Sequence, residues 1–218
     1  MMITSILLMA GKGERMNKDI NKVLLELGNK KIFEYSLYKL LKYTDEVICV
    51  VSKNDYDEVI KLLPSEVKVT IGGKTRGESV FNGLKMASYD NIIIHDSARP
   101  FLDEKLLKDI KKDFDEYDAI LTYNECKDTI YLNDLELNVL NRDKLIRAIT
   151  PQCGKKDILI EAYMKAVEDD KTFTDDISLI LNYYPNIKIS TIKASDNLFK
   201  ITTPIDYELA KLIWREYD

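Results

Sequence analysis

Ile6-Leu7-Leu8-Met9-Ala10-Gly11-Lys12-Gly13-Glu14-Arg15-Met16 runs an apolar strand straight into a glycine turn, and Lys22 lies a few residues beyond. Glycine lets the backbone turn with positive φ and lets a large anion approach its N–H groups without a Cβ in the way. Arg15 as a planar fork and Lys22 as a point charge add fixed positive charge where that anion would lie. This is the chemistry of holding a polyphosphate, above all a nucleoside triphosphate. The bland alternative is an ordinary strand-to-helix connection with a solvated basic face. A dinucleotide fingerprint would need glycine where Met16 stands. Its ribose-binding acid is missing too, since Glu34 falls inside an amphipathic helix pattern. A P-loop would need Gly-Lys-Ser/Thr, which does not occur here.

Working outward, apolar and β-branched runs predict strands at 5–9, 46–51, 67–71, 91–95, 119–123 and 188–192. Helical patterns fall at 32–41, 56–63, 79–86, 103–114 and 155–167. Asp103 is the expected N-cap of the fourth, with Glu104 in its first turn. A further helix is expected to start at Thr174 with its hydroxyl as cap and Asp175 and Asp176 at its positive end. The last begins at Thr203-Pro204, proline being favoured at the first helical position. Strand and helix alternate, which predicts an α/β fold: a parallel sheet with helices on both faces. Ligands bind such sheets outside the carboxyl ends of the strands. The Gly11 loop, Gly72-Gly73 and 95–100 each follow a strand, so they converge on one crevice.

Residues 125–147 break the alternation. Two short strand-like pieces, 129–132 and 137–140, flank the polar turn Asn133-Asp134. A lone hairpin is marginal and must pack on something. A protruding arm that grips a second subunit, or a flap over its own domain, would each satisfy it.

The bulk numbers suit one soluble α/β domain of ample core size with room for a small appendage: 218 residues, 45% hydrophobic and 32% charged. A formal net charge of −5 argues against a nucleic-acid surface while allowing a local basic pocket. Cys49, Cys126 and Cys153 are scattered without metal spacing, which fits a reducing, cytoplasmic setting and no structural zinc. No signal-peptide core or membrane span is expected.

Chemistry concentrates in three further segments. In His95-Asp96-Ser97-Ala98-Arg99-Pro100-Phe101, a strand-end carboxylate faces the phosphate site and is placed to hold Mg²⁺ by one or two oxygens, so Asp96 is the candidate metal ligand. A turn-forming Asp96 paired with Arg99 is the competing reading. His95, the one histidine of the chain, reads as orienting this loop rather than as a base. Gly72-Gly73-Lys74-Thr75-Arg76-Gly77-Glu78-Ser79 is a second glycine turn, suited to reading a base edge, with Ser79 capping the next helix and Arg76 bracing the loop by a salt bridge.

In this order, GKGERM, Lys22, GGKTRGESV, HDSARPF, Lys127-Asp128-Thr129, Asn141-Arg142, Thr150-Pro151-Gln152, Thr174-Asp175-Asp176 and Lys200-Ile201-Thr202-Thr203-Pro204 resemble the 2-C-methyl-D-erythritol 4-phosphate cytidylyltransferases over nearly the whole chain. The resemblance implies a Rossmann-like, mostly parallel sheet with a protruding β-hairpin arm and a single nucleotidyltransferase domain over 1–218. It also implies CTP as co-substrate, Mg²⁺, a homodimer joined by the arm at about 125–147, and a place in isoprenoid precursor synthesis. By it, Arg15 and Lys22 match the catalytic cations on the triphosphate. Met9, Ala10, Gly11, Gly13, Gly73, Lys74 and Ser79 match nucleotide-binding positions, and Asp96 the Mg²⁺ ligand. Arg99, Thr129, Arg142, Thr150, Thr174 and Lys200 match the polyol phosphate site. Asn21 stands where the family usually has proline, which predicts a looser Lys22 loop, and Leu198 stands where it usually has asparagine. The related ribitol 5-phosphate cytidylyltransferases share most of these motifs; the small Ala98 before Arg99 favours the methylerythritol enzymes. A catalytically idle nucleotide-binding regulator on the same fold is the reading from another class.

Overall fold

The computed structural model describes residues 1–11 and 21–217. The N-terminal half runs β1 (Ile3–Leu8), β2 (Glu26–Leu27), β3 (Lys30–Lys31), α1 (Ile32–Tyr43), β4 (Glu46–Val51), α2 (Tyr56–Val59), β5 (Lys68–Ile71), α3 (Arg76–Met86) and β6 (Asn91–Asp96). It continues with α4 (Glu104–Asp113), β7 (Ala119–Glu125), β8 (Tyr131–Asn133), β9 (Leu137–Val139) and β10 (Ile146–Lys155). The chain closes with α5 (Lys156–Glu168), α6 (Asp176–Tyr183), β11 (Ile189–Lys193) and α7 (Pro204–Tyr217).

Seven strands form one sheet in the order β11-β7-β10-β6-β1-β4-β5. All its pairings are parallel except the two made by β10. Side chains alternate across the strands, so each strand feeds two cores. Ile3, Leu7, Val47, Cys49 and Ile93 face α1 and α4, whose Leu37, Leu40, Leu106 and Ile110 cover them. Ile6, Ile48, Val50, Ile92 and Ile94 face α3, α5 and α6 through Val80, Leu84, Leu159 and Ile180. A third cluster forms where α7 lies on the β2–β3 turn: Leu27, Ile32, Ile201 and Ala210 are fully buried there. Gly28 adopts φ +62°, and the Trp214 ring occupies the space a Cβ would need.

Each of the six expected strands is present with ends moved by at most two residues. In the main sheet the unexpected strand is β10, which sits between β6 and β7. Its sequence Ile146-Arg-Ala-Ile-Thr-Pro-Gln-Cys-Gly-Lys contains a proline, which has no N–H for a ladder and reads against a central strand. The register against β7 shifts between Ala148 and Gln152, and that irregularity accommodates Pro151. Helix α2 stops at Val59 instead of reaching 63; Pro64 disfavours helical backbone at Leu63, and the intervening residues form turns. Two capping expectations are corrected. Thr75, not Ser79, caps α3 by accepting from the Glu78 N–H (3.1 Å). Asp175, not Thr174, caps α6 by accepting from the Ser178 N–H (2.7 Å), since a carboxylate one residue on competes better for that donor.

Candidate functional site

A cavity of about 800 Å³ opens at the carboxyl ends of β1, β5 and β6. The three glycine- or aspartate-bearing loops expected to converge do so here. Met9, Ala10, Gly11, Lys22, Gly73, Lys74, Ser79, Asp96 and Lys200 all line it. Gly13 and Arg15 lie outside the described residues.

Each lining group is held by local chemistry. Gly11 does not use positive φ, and no described protein atom lies within 4 Å of where its Cβ would be, so its backbone faces open space. Gly72 and Gly73 are needed for close approach instead: a Cβ on Gly72 would meet the Ala10 Cβ at 2.6 Å, and one on Gly73 the Glu78 Cβ at 2.3 Å. Ser79 fastens this turn, its hydroxyl accepting from the Gly73 N–H (3.1 Å) and donating to the Thr75 carbonyl (2.9 Å). Lys22 opens a 3-10 turn, Lys22–Leu24, whose Val23 and Leu24 are buried in the first core.

Asp96 ends β6, and its backbone N–H donates to the Thr150 hydroxyl (3.0 Å). Its carboxylate receives Lys200 Nζ at 2.8 Å, with Arg99 Nε at 3.9 Å and Arg76 Nε at 4.0 Å. Burial alone would raise its pKa; Lys200, Arg76 and Arg99 outweigh that and bring it to about 2. Asp96 is therefore ionised at any working pH. Among the described residues no cluster of His, Cys, Asp or Glu would hold a metal alone. One ionised carboxylate facing a cationic cavity suits a Mg²⁺ ion that completes its shell with phosphate oxygens and water.

The loop after Asp96 is rigid. Ser97 donates from its backbone and its hydroxyl to the Leu8 carbonyl (3.1 and 2.7 Å), and the Ile201 N–H donates to the Ala98 carbonyl (2.9 Å). His95 is fully buried, outside the cavity, with Nε2 3.1 Å from the Arg99 carbonyl. Burial lowers its pKa to about 4, against partial upward pulls from that carbonyl and Asp96, so it is a neutral loop brace, as the sequence implied. Arg99 donates to the Leu198 carbonyl (2.9 Å) and lies behind Asp96 rather than on the cavity wall. Leu198 itself is wholly buried, which explains an apolar residue at that position.

One assembly had no signal in the sequence beyond the expected Arg76 brace. Arg76 grips Asp176 with two N–H groups (3.0 and 2.7 Å), and Tyr163 donates to the same carboxylate (2.5 Å). Gln152 Oε1 in turn accepts from the Asp176 N–H (2.7 Å). Asp176 is 1% exposed. Burial works against the Arg76 charge, but Asp176 and then Asp96 hold its pKa above the ordinary value. A fixed guanidinium thus spans the cavity wall and the start of α6. Thr150 and Thr174 do not line the cavity; Thr150 supports it through the Asp96 N–H, whereas Thr174 is exposed just before α6.

Thr129 and Arg142 lie away from the cavity, on the arm formed by β8 and β9. The Arg142 guanidinium donates to the Lys127 carbonyl (3.1 Å). The arm presents Tyr131, Leu135, Leu137 and Val139 to solvent, with Leu135 98% exposed.

A sequence profile of the 2-C-methyl-D-erythritol 4-phosphate cytidylyltransferases matches residues 3–216. The Clostridium novyi protein of that name is 35% identical over 96% of this chain and 95% of its own length. The Thermotoga neapolitana one is also 35% identical, over 100% of this chain and 99% of its own length. The crystal structure of 4-diphosphocytidyl-2C-methyl-D-erythritol synthase from Anaerococcus prevotii superposes with a TM-score of 0.86 at 27% identity, covering 98% of this chain and 96% of that one. With the family profile matched almost end to end and the glycine, aspartate and lysine motifs meeting in one cavity, this chain belongs to the 2-C-methyl-D-erythritol 4-phosphate cytidylyltransferase family.

Proposed function

We propose that this protein joins CTP to 2-C-methyl-D-erythritol 4-phosphate, giving the CDP-polyol and pyrophosphate. The supporting observation is the cavity wall: among the described residues, Lys22, Lys74, Arg76 and Lys200 surround a single lining carboxylate, Asp96. The described wall holds no nucleophile–base pair, and the reaction requires none. A phosphate monoester has its second pKa near about 6, so the attacking oxygen is already anionic at neutral pH. The barrier is electrostatic: two unit charges about 4 Å apart repel by roughly 4 kcal/mol at an effective dielectric of 20.

Backbone groups of 9–11 and the 72–74 turn hold the nucleotide, and Ser79 keeps that turn in place. Asp96 would hold Mg²⁺, which neutralises phosphate charge when bound. Lys200 stands where the incoming phosphate lies beside Asp96, and Lys22, with Arg15, stabilises charge building on the departing pyrophosphate. The work is alignment and charge compensation. Cys49, Cys126 and Cys153 are all free thiols, which supports a cytoplasmic setting. Among the described residues no helix is long and apolar enough to cross a membrane.

The test is pyrophosphate release with Mg²⁺ and CTP, offering methylerythritol 4-phosphate and ribitol 5-phosphate separately. Preference for the first is expected. Preference for ribitol 5-phosphate would transfer the chain to the rival substrate, and no release with either would overturn the reading.

The arm supports a homodimer in which Thr129 and Arg142 serve the partner's cavity, since both stand clear of their own and the arm's apolar side chains are exposed. Mixing two inactive variants, Lys22→Ala and Arg142→Ala, is expected to restore turnover, because a mixed dimer contains one intact composite site. Mixed samples with no more activity than their components would mean that the arm acts within its own chain.

A further inference from the structure

Lys22 sits in a short turn whose two sides are secured differently. On its C-terminal side Val23 and Leu24 are buried in the core, and Lys31 Nζ donates to the Leu24 carbonyl (3.0 Å). On its N-terminal side is Asn21, whose buried side-chain amide uses both donors and its oxygen to tie three segments together. Nδ2 donates to the Met9 carbonyl (3.0 Å) and to Asp55 Oδ2 (2.8 Å), while Oδ1 accepts from the Val23 N–H (3.3 Å). Two acceptors on one side of the amide fix its orientation.

Asp55 is committed to the same task. It stands at the N-cap of α2 yet makes no capping bond. Its Oδ2 instead receives both Asn21 and the Ser52 hydroxyl (2.7 Å). Met9 is anchored too, through its N–H to the Val50 carbonyl (2.8 Å). The Lys22 turn is therefore clamped to the ends of two adjacent strands, β1 and β4. The expectation of a loose loop at Asn21 is reversed: its side chain supplies the restraint.

We infer that Asn21, braced by Asp55, is the positioning residue that sets Lys22 in the cavity. The inference rests on the reading of Lys22 as a catalytic cation. The Asn21 amide is consumed by its three partners and does not touch the reacting phosphates; it acts by restricting where the ammonium group stands. Misplacing such a group by about 1 Å costs turnover on the order of 100-fold.

The experiment is steady-state pyrophosphate release by Asn21→Ala, Asp55→Ala, Lys22→Ala and the Asn21→Ala/Lys22→Ala double variant, with a melting temperature for each. Asn21→Ala is expected to lower kcat about 10- to 100-fold with little change in KM for CTP. Asp55→Ala should move kcat in the same direction by less. In the Lys22→Ala background, Asn21→Ala should cost nothing further, because there is no ammonium left to place. Unchanged kcat in Asn21→Ala, or losses that multiply in the double variant while both singles stay folded, would overturn the inference and leave Lys22 in the site. Near-normal turnover by Lys22→Ala would overturn the underlying reading, and this inference with it.

Discussion

Lys22→Ala is expected to lower kcat by about 1000-fold while the protein stays folded. The size follows from the removal of one preorganised charge aimed at a developing anion, worth roughly 100- to 1000-fold in enzymes that work by charge stabilisation. The upper end applies because Lys22 is only 9% exposed, so little water competes with it. The fold survives because packing in this turn belongs to Val23 and Leu24, each 3% exposed. The loss should fall mainly on kcat, since the charge on the pyrophosphate grows during the reaction rather than on binding. Turnover near that of the unaltered protein, measured on a sample with an unchanged melting temperature, would remove Lys22 from the chemistry.

Asp176→Asn is expected to give the second large effect, damaging activity and stability together. The buried carboxylate accepts three hydrogen bonds, two from Arg76 and one from Tyr163, and balances a guanidinium that is partly exposed on the cavity wall. An amide at this position has one oxygen for three donors and no charge. Leaving buried hydrogen-bonding groups short of an acceptor costs about 1–3 kcal/mol, and partial exposure of the Arg76 guanidinium keeps the loss within that range. The expected result is a clear fall in melting temperature and a drop in kcat/KM for CTP of about 100-fold, because Arg76 no longer has a fixed place on the cavity wall. Thermal unfolding followed with kinetics at low temperature separates the two. If the Asp176→Asn protein melts normally and binds CTP normally, Arg76 needs no counter-charge.

The parts of this molecule readable in its sequence are those whose cause is local. Strands β1, β4, β6 and β7 are runs of Ile, Val and Leu that no helix pattern imitates, and α4 announces itself with Asp103 before an amphipathic stretch. Met9–Gly11, Gly73, Lys74 and Asp96 were legible because a phosphate site needs glycine and charge directly after a strand. Strand β10 was not, because Pro151 and Gly154 hide a segment whose partners on both sides supply the order. Nor were the Asn21–Asp55 and Arg76–Asp176 pairs, which join residues 34 and 100 positions apart. Spacing along a chain says nothing about such pairs until the strands are placed. Sequence also misassigned two caps by choosing a hydroxyl where a better-placed neighbour already met the donor.

The position of β10 has a consequence for how the chain is made. Strands β5, β4, β1 and β6 are all supplied by the first 96 residues, whereas β7 and β11 join the sheet only through β10. While the polypeptide emerges from a ribosome, the β6 edge, with Ile92, Ile93 and Ile94, therefore waits unpaired until residues 146–155 arrive. An open apolar edge of that kind recruits other strands. Fragments ending between β6 and β10 should be the ones that clump, and a strand made after β7 is the one that joins the two parts of the sheet.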